Sequence, residues 1–249
     1  MADSRERKIS SYYSTIGNYD LFKGISPSDL AAVLDCAGAK IENYSKNIIL
    51  APADRDIADA GLILKGNVAM IKEDEHGHQS LITFMKEGEL FGEIFSEIKD
   101  NASTVRFRTM TKCTIMYIPV VRILNVCNNS CPFHSRLIFN LFKSLSKTNA
   151  GLVRKIDAIS RTTIREKILA YLGEELEYAN RANHTPDNHR ITIPMNKTEM
   201  AQYLCVHRSA LLREIAAMRQ DGLISVNGQT FTVYGLERMS FQYDKKPGK

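Results

Sequence analysis

No stretch of this chain is apolar for long enough to span a bilayer, and its first residues, MADSRERKISSYYS, carry charge without the apolar segment of a secretory signal. Neither a membrane partner nor export is expected, and the expected compartment is the cytoplasm. Cysteine is sparse. Cys36, Cys113, Cys127, Cys131 and Cys205 are odd in number and irregular in spacing, which argues against a disulfide framework. Cys127 and Cys131, as two thiols, make a weak metal case, whether as a redox pair or as half a metal site. Their expected role is that of small buried hydrophobes. His76 and His78 flank a glycine at a polar hairpin tip and read as solvated loop. The chain has no P-loop, dinucleotide fingerprint, zinc motif or coherent Ser-His-Asp set. No catalytic residue and no metal site is assigned, and an enzyme is not expected.

What is present is an ordinary globular composition, 44% hydrophobic and 24% charged over 249 residues, enough for two modest domains. The net charge of +5 and pI near 8.9 suit a polyanionic partner. The segment from Ile193 to Ile224 says where that partner would bind. Asn196 can cap a helix, and Glu199 stands three residues on, as the second half of a capping box. Met200, Ala201 and Leu204 form its apolar face. Cys205-Val206-His207 break the pattern, and a second helix follows with Ala210, Leu211, Ile215 and Met218 inward. Its other face carries Arg208, Ser209, Arg213 and Arg219, and Gly222 ends it. Arginine reads guanine edges bidentately, and a hydroxyl donates or accepts, so such a face suits the major groove. Leu223 to Tyr234 then alternates around Asn227-Gly228, a strong short hairpin signal. A helical pair followed by a hairpin is a winged helix. These helices leave a second reading open: a ligand-binding module whose winged helix contacts protein. The three arginines favour nucleic acid.

Upstream the character differs. Ser26-Pro27-Ser28-Asp29 opens a short helix that buries Leu30, Val33 and Leu34. From Ala39 to Val121 short β-rich runs alternate with turn residues: Lys40–Tyr44, Ala60–Leu64, Asn67–Ile71, Ser80–Met85, Ser103–Phe107 and Cys113–Ile118. This is the pattern of a sandwich or barrel. After Pro132, Ile138, Phe142, Leu145, Asn149, Leu152, Ile156 and Ile159 recur at intervals of four and three, a heptad seam suited to a parallel two-stranded coiled coil. Asn149 is its polar position and can fix register. A homodimer is therefore expected; the other reading is a helix packed wholly inside one chain, with Asn149 satisfied by a neighbour. Ser160 to Leu172 begins a further helix, residues 179–190 read as a polar loop, and Ile191–Ile193 as a short strand.

A β-rich domain, a long heptad helix and a winged helix, in that order, resemble the cyclic AMP receptor and fumarate-nitrate regulator (Crp/Fnr) superfamily of bacterial transcription factors. The resemblance covers about residues 20–236 and rests on Gly66, the run Gly88 to Glu93, the segment Ile193 to Ile224, and Thr232 to Gly235. It implies an α+β chain: an N-terminal β-roll sensor, of the cupin-like double-stranded β-helix type, in residues 1–131; a dimerisation helix in 132–159; and a C-terminal winged helix-turn-helix in 160–249. It implies a homodimer on a double-stranded, pseudo-palindromic operator, with RNA polymerase as a further partner. The family's reading helix often has Arg-Glu-x-x-x-Arg; here Arg208 and Arg213 are kept and Ser209 replaces the glutamate. Lys197, Thr198 and His207 are the expected phosphate contacts.

The resemblance also marks an effector pocket at Phe91, Gly92, Glu93, Ser103, Thr104 and Asn149. Members that bind cyclic nucleotides hold the ribose with a glutamate like Glu93 and the phosphate with an arginine followed by a small hydroxyl residue. Ungapped alignment puts that pair on Ser103-Thr104, where the hydroxyl survives and the arginine does not. A phosphate without its cation loses charge-assisted bonds. Arg106 or Arg108 could substitute only with a different strand register. The Thr-Ser pair of cyclic-AMP binders is missing near Asn149-Ala150. Cyclic AMP is therefore not the expected effector; a small molecule of another kind, or no ligand, is. Residues 1–35 hold no cysteine and no histidine precedes His76, so an iron-sulfur cluster and haem are not expected either.

Overall fold

A computed structural model describes residues 12–50, 59–73, 79–92, 105–124, 133–183 and 189–234. The chain forms two compact units that divide between Ala150 and Gly151. No described helix is long and apolar enough to cross a membrane.

The first unit opens with α1 (Tyr13–Ile16), a 3-10 turn (Asp20–Phe22) and α2 (Pro27–Cys36). Ser26 is the N-cap of α2, but its hydroxyl goes to the Asp29 carboxylate and to Ser28 instead of a backbone N–H. Among the described residues eight strands follow: β1 (Lys40–Tyr44), β2 (Ile49–Leu50), β3 (Asp59–Lys65), β4 (Val68–Glu73), β5 (Gln79–Met85), β6 (Leu90–Phe91), β7 (Val105–Thr109) and β8 (Cys113–Pro119). They make two antiparallel sheets, ordered β1-β8-β3-β6 and β2-β7-β4-β5. The alternating pattern of side chains supplies two cores. Ile63, Phe91, Ile115 and Tyr117 of the first sheet meet Val68, Met70, Met85 and Phe107 of the second. The other face of the first sheet, through Ala60, Leu62, Leu90, Met116 and Ile118, packs with Leu21, Phe22, Leu30 and Leu34 of the N-terminal helices. This is the β-roll. The six longer strands are those read from the sequence. The two-residue strands β2 and β6 are too short to leave a period.

After α3 (Val120–Leu124) comes α4 (Phe133–Ser160), 28 residues long. Leu137 and Leu141 are buried, with Ile138 and Leu145 packed against the helix-side core. Asn140 is buried too, and its amide donates to the carbonyls of Leu21 and Lys23, both at 2.9 Å. The apolar stripe of α4 is thus two stripes side by side. One packs within the chain; the other faces outward through Phe139, Phe142, Val153 and Ile156, which are 51–67% exposed. Asn149 and Ser146 are exposed as well and fill the remaining steps of a three-four repeat. The expected seam is corrected accordingly. Of the expected seam positions, 142, 149 and 156 lie on the outward stripe, whereas Ile138 and Leu145 belong to the inner face. Apolar spacing alone cannot separate two neighbouring faces of one helix.

The second unit contains α5 (Ile164–Asn183), β9 (Arg190–Thr192), α6 (Lys197–Tyr203), α7 (Arg208–Gln220), β10 (Ile224–Asn227) and β11 (Thr230–Val233). Thr163 and Glu166 form a reciprocal cap at the start of α5, each accepting the other's backbone N–H. The helix takes in residues 179–183, which sequence alone assigned to the following loop. The three strands pair in the order β10-β11-β9. Ile168, Leu172 and Leu176 of α5 are buried, as are Leu204, Leu211, Met218, Ile193, Phe231 and Val233.

Candidate nucleic-acid interface

The frame comes first. Asn196 accepts from the backbone N–H groups of Thr198 (2.9 Å) and Glu199 (3.0 Å), while Glu199 accepts from the N–H of Asn196 (2.7 Å). The capping box expected at α6 is complete. At the other end, Val206 N–H reaches the Ala201 carbonyl (3.0 Å) and Cys205 N–H reaches that of Gln202 (3.3 Å). These are the two bonds of a Schellman motif, which places Cys205 at the left-handed position, φ +53°. Helix α7 ends the same way: Leu223 N–H bonds to the Met218 carbonyl, Gly222 N–H to that of Arg219, and Gly222 has φ +70°. One turn uses the residue suited to positive φ and the other does not.

Arg165 of α5 braces α7. Its Nε lies 2.6 Å from Glu214 and its Nη1 2.7 Å from Asp221, so one guanidinium holds the middle and the C-terminal end of that helix. Tyr171 of α5 and Tyr203 of α6 pack with ring centroids 5.1 Å apart, and burial raises both phenols above their ordinary range. The Lys155 ammonium lies 4.6 Å from the Tyr203 ring centroid, and burial lowers its pKa.

Upon this frame, Arg208, Ser209, Arg213 and Arg219 are all exposed on one side of α7. Arg208 Nε donates to Thr198 Oγ1 at 3.0 Å, which fixes the first arginine against α6. His207 is the N-cap residue, and its Nδ1 lies 2.8 Å from Ser209 Oγ. Arg213 makes no hydrogen bond or ion pair to any described residue and is free to extend. The six residues read from the sequence fall together in space. Lys197 does not project: its ammonium donates to the Gly228 carbonyl (3.1 Å) and lies 3.9 Å from the centre of the Phe231 ring. Burial lowers its pKa. It ties the start of α6 to the wing. The wing's tight turn also differs by one residue. Asn227 pairs with Thr230, so the central pair is Gly228-Gln229, with positive φ at the first (+59°) only. That matches a type II′ hairpin.

In the β-roll, Phe91 is buried with its ring 4.9 Å from Phe107 and 6.3 Å from Tyr117. It lies across Gly61, where a Cβ would come within 2.3 Å of the ring. Gly92 has φ +84°. Asn149 is exposed on α4. Glu93, Ser103 and Thr104 lie outside the described residues, as do Cys127, Cys131, His76 and His78. Arg106 and Arg108 flank Phe107 on β7 and so project from the opposite sheet face. There Arg106 approaches Glu73 at 4.0 Å and Arg108 donates to Gln79 at 2.7 Å. The strand register turns both away from the inner core that holds Phe91.

Residues 166–240 match the Crp-like helix-turn-helix domain, and residues 41–130 match the cyclic nucleotide-binding domain. The CRP-like protein Clp of Xanthomonas campestris pv. campestris (strain B100) is 22% identical over 174 residues, which are 70% of this chain and 74% of that protein. Solved structures share the fold. The c-di-GMP responsive global regulator CLP of Xanthomonas campestris superposes with a TM-score of 0.62 at 18% identity, covering 82% of this chain and 98% of the other. A CooA mutant from Carboxydothermus hydrogenoformans gives 0.63 at 17%, covering 85% and 89%. FixK2 from Bradyrhizobium japonicum gives 0.60 at 14%, covering 82% and 96%. A cyclic nucleotide-binding domain and a Crp-like helix-turn-helix domain in one chain make this a transcription regulator of the Crp/Fnr type.

Proposed function

We propose that the protein acts as a homodimer that places two copies of α7 in successive major grooves of a pseudo-palindromic operator. The observation that carries this reading is the outward face of α7: two arginines five residues apart around a serine, on a helix braced at its middle and end by Arg165. Arg208 and Arg213 read base edges or the adjacent phosphates, Ser209 reads a base, and Thr198 and His207 meet the backbone. Lys197 contributes by holding the wing. The outward strip of α4, from Phe139 to Ile156, is the surface for the second copy. Exposed apolar side chains in a three-four repeat bury against their like in a parallel coiled coil. Two-fold symmetry then sets half-sites about 34 Å apart.

The β-roll carries a small-molecule signal other than cyclic AMP, since no arginine stands at the phosphate position of the ungapped alignment. The candidate residues remain Phe91, Gly92, Glu93, Ser103, Thr104 and Asn149, and the domain boundaries remain near 131 and 159. Selection from a randomised duplex pool, with sedimentation of the free and bound protein, tests the reading. An enriched inverted repeat bound by two chains supports it. A stable monomer, or indifference to duplex DNA at low salt, refutes it and leaves a winged helix that docks on protein. Thermal shift with cyclic AMP, cyclic GMP and cyclic di-GMP tests the effector statement, and a shift with cyclic AMP refutes it.

A further inference from the structure

Ser209 stands where the resemblance places a glutamate, which when ionised can only accept a hydrogen bond. A serine hydroxyl is ambiguous, because it donates and accepts equally well. The neighbouring imidazole removes the ambiguity. His207 Nδ1 lies 2.8 Å from Ser209 Oγ, and no other described side chain is bonded to either residue. One of the two atoms must supply the proton.

We propose that His207 and Ser209 form a single reading unit in which the histidine turns the serine into an acceptor. The inference rests on the DNA-reading function proposed above. His207 is the N-cap of the reading helix, exposed, at the end that meets the phosphate backbone. A phosphate oxygen only accepts. In the tautomer that satisfies it the proton sits on Nε2, so Nδ1 is bare and accepts a hydrogen bond from the Ser209 hydroxyl. The hydroxyl's hydrogen is then committed, and only lone pairs face the groove. Such an oxygen accepts from an exocyclic amine, that of cytosine N4 or adenine N6, and is repelled by guanine O6 and N7 and by thymine O4. The pair thus recovers the acceptor-only chemistry of a carboxylate without its negative charge. His207 is a positioning residue here, acting on the base through Ser209.

The test is selection from a randomised duplex pool with the full chain and three variants: His207→Asn, Ser209→Ala and Arg213→Ala. Asparagine is a favoured N-cap residue and His207 makes no side-chain capping bond, so the His207 variant retains its helix. The wild type is expected to enrich cytosine or adenine at one step of each half-site. The loss of one hydrogen bond of this kind is roughly a three- to tenfold change in preference. Both His207→Asn and Ser209→Ala should lose that preference at the same step and keep the others, whereas Arg213→Ala should lose a different step. Full preference retained by His207→Asn would overturn the pair and leave the histidine a phosphate contact only. Guanine or thymine at that step in the wild type would overturn the polarity. A wild-type pool without any enriched sequence would remove the DNA-reading function itself, and the pair with it.

Discussion

Replacing Cys205 by glycine should stabilise the DNA-reading unit, although it deletes a side chain. Cys205 occupies the left-handed position of the Schellman motif at the end of α6, with φ +53°. A residue with a Cβ pays about 1–2 kcal/mol for that conformation. Glycine avoids the clash but gains freedom in the unfolded chain, which offsets about 0.4–1 kcal/mol. The thiol is exposed, and its hydrogen bond to the Tyr203 carbonyl spans 4.0 Å, so little packing or hydrogen bonding is lost. The net expectation is a gain of about 0.5–1 kcal/mol. Native-state hydrogen exchange reads this directly: the buried amides of Leu204 and Leu211 should exchange about two- to fivefold more slowly in C205G. The mirror experiment is Gly222→Ala at the end of α7, where a Cβ meets nothing within 4 Å and only the backbone conformation is at issue. Exchange there should be faster by a similar factor. If C205G exchanged at the wild-type rate or faster, the backbone at Cys205 would not be strained, and the two turns could not be treated as one motif with unlike residues.

Other outcomes follow from the same geometry. Arg208→Ala and Arg213→Ala should each weaken binding to the selected operator by about 1–3 kcal/mol in fluorescence anisotropy if each reads a base; Thr198→Ala should weaken it less, by releasing Arg208 from its 3.0 Å contact, and unchanged affinity for both arginine variants would dismiss α7 as the reader. Phe142→Asp with Ile156→Asp should give a folded monomer by sedimentation, since both side chains are exposed within the chain; a persistent dimer would place the interface elsewhere. Gly61→Ala should lower the β-roll's melting transition, costing about 1–3 kcal/mol as the new methyl forces the Phe91 ring aside; an unchanged transition would mean the ring moves freely. Burial raises the Glu89 carboxyl above its ordinary value, so its protonated form is favoured in the folded state. Its stabilising contribution is full below the unfolded carboxyl's pKa and is lost as pH rises through the folded one. Glu89→Gln, which can still accept the Lys86 N–H, should therefore be more stable than wild type at neutral pH, with the difference shrinking towards pH 4 in denaturant titrations; a constant difference would point to another cause.

The winged helix was legible in sequence because each of its signals is local. The Asn196–Glu199 box, the apolar faces of both helices and the terminating Gly222 lie within a few residues of what they control. What was not legible depends on contacts distant in sequence. Lys197 looks like a free cation until the fold brings Gly228 and Phe231 beside it. Cys205 marks a turn, but only the backbone bonds to Ala201 and Gln202 show that a thiol-bearing residue adopts positive φ. The seam of α4 was read one face wide because the N-terminal helices that cover Ile138 and Leu145 come from more than a hundred residues upstream. Asn140, set within the run Ile138 to Phe142, is a polar residue whose two carbonyl partners no periodicity could supply. In the sensor, Phe91 and Gly92 emerged from a resemblance, and the facing of Arg106 and Arg108 followed once Phe107 was known to point inward.

The brace on α7 also has an electrostatic meaning. That helix bears Glu214 besides its arginines, and Asp221 closes it; two carboxylates so near a phosphate backbone would repel the duplex that the arginines attract. Arg165 lies between them at ion-pair distance from both. The cation arrives from another helix and takes no place on the reading face. The surface offered to a polyanion therefore keeps the charge of its arginines largely uncancelled, and base-reading positions on α7 are free to vary without altering the charges that hold the helix in place.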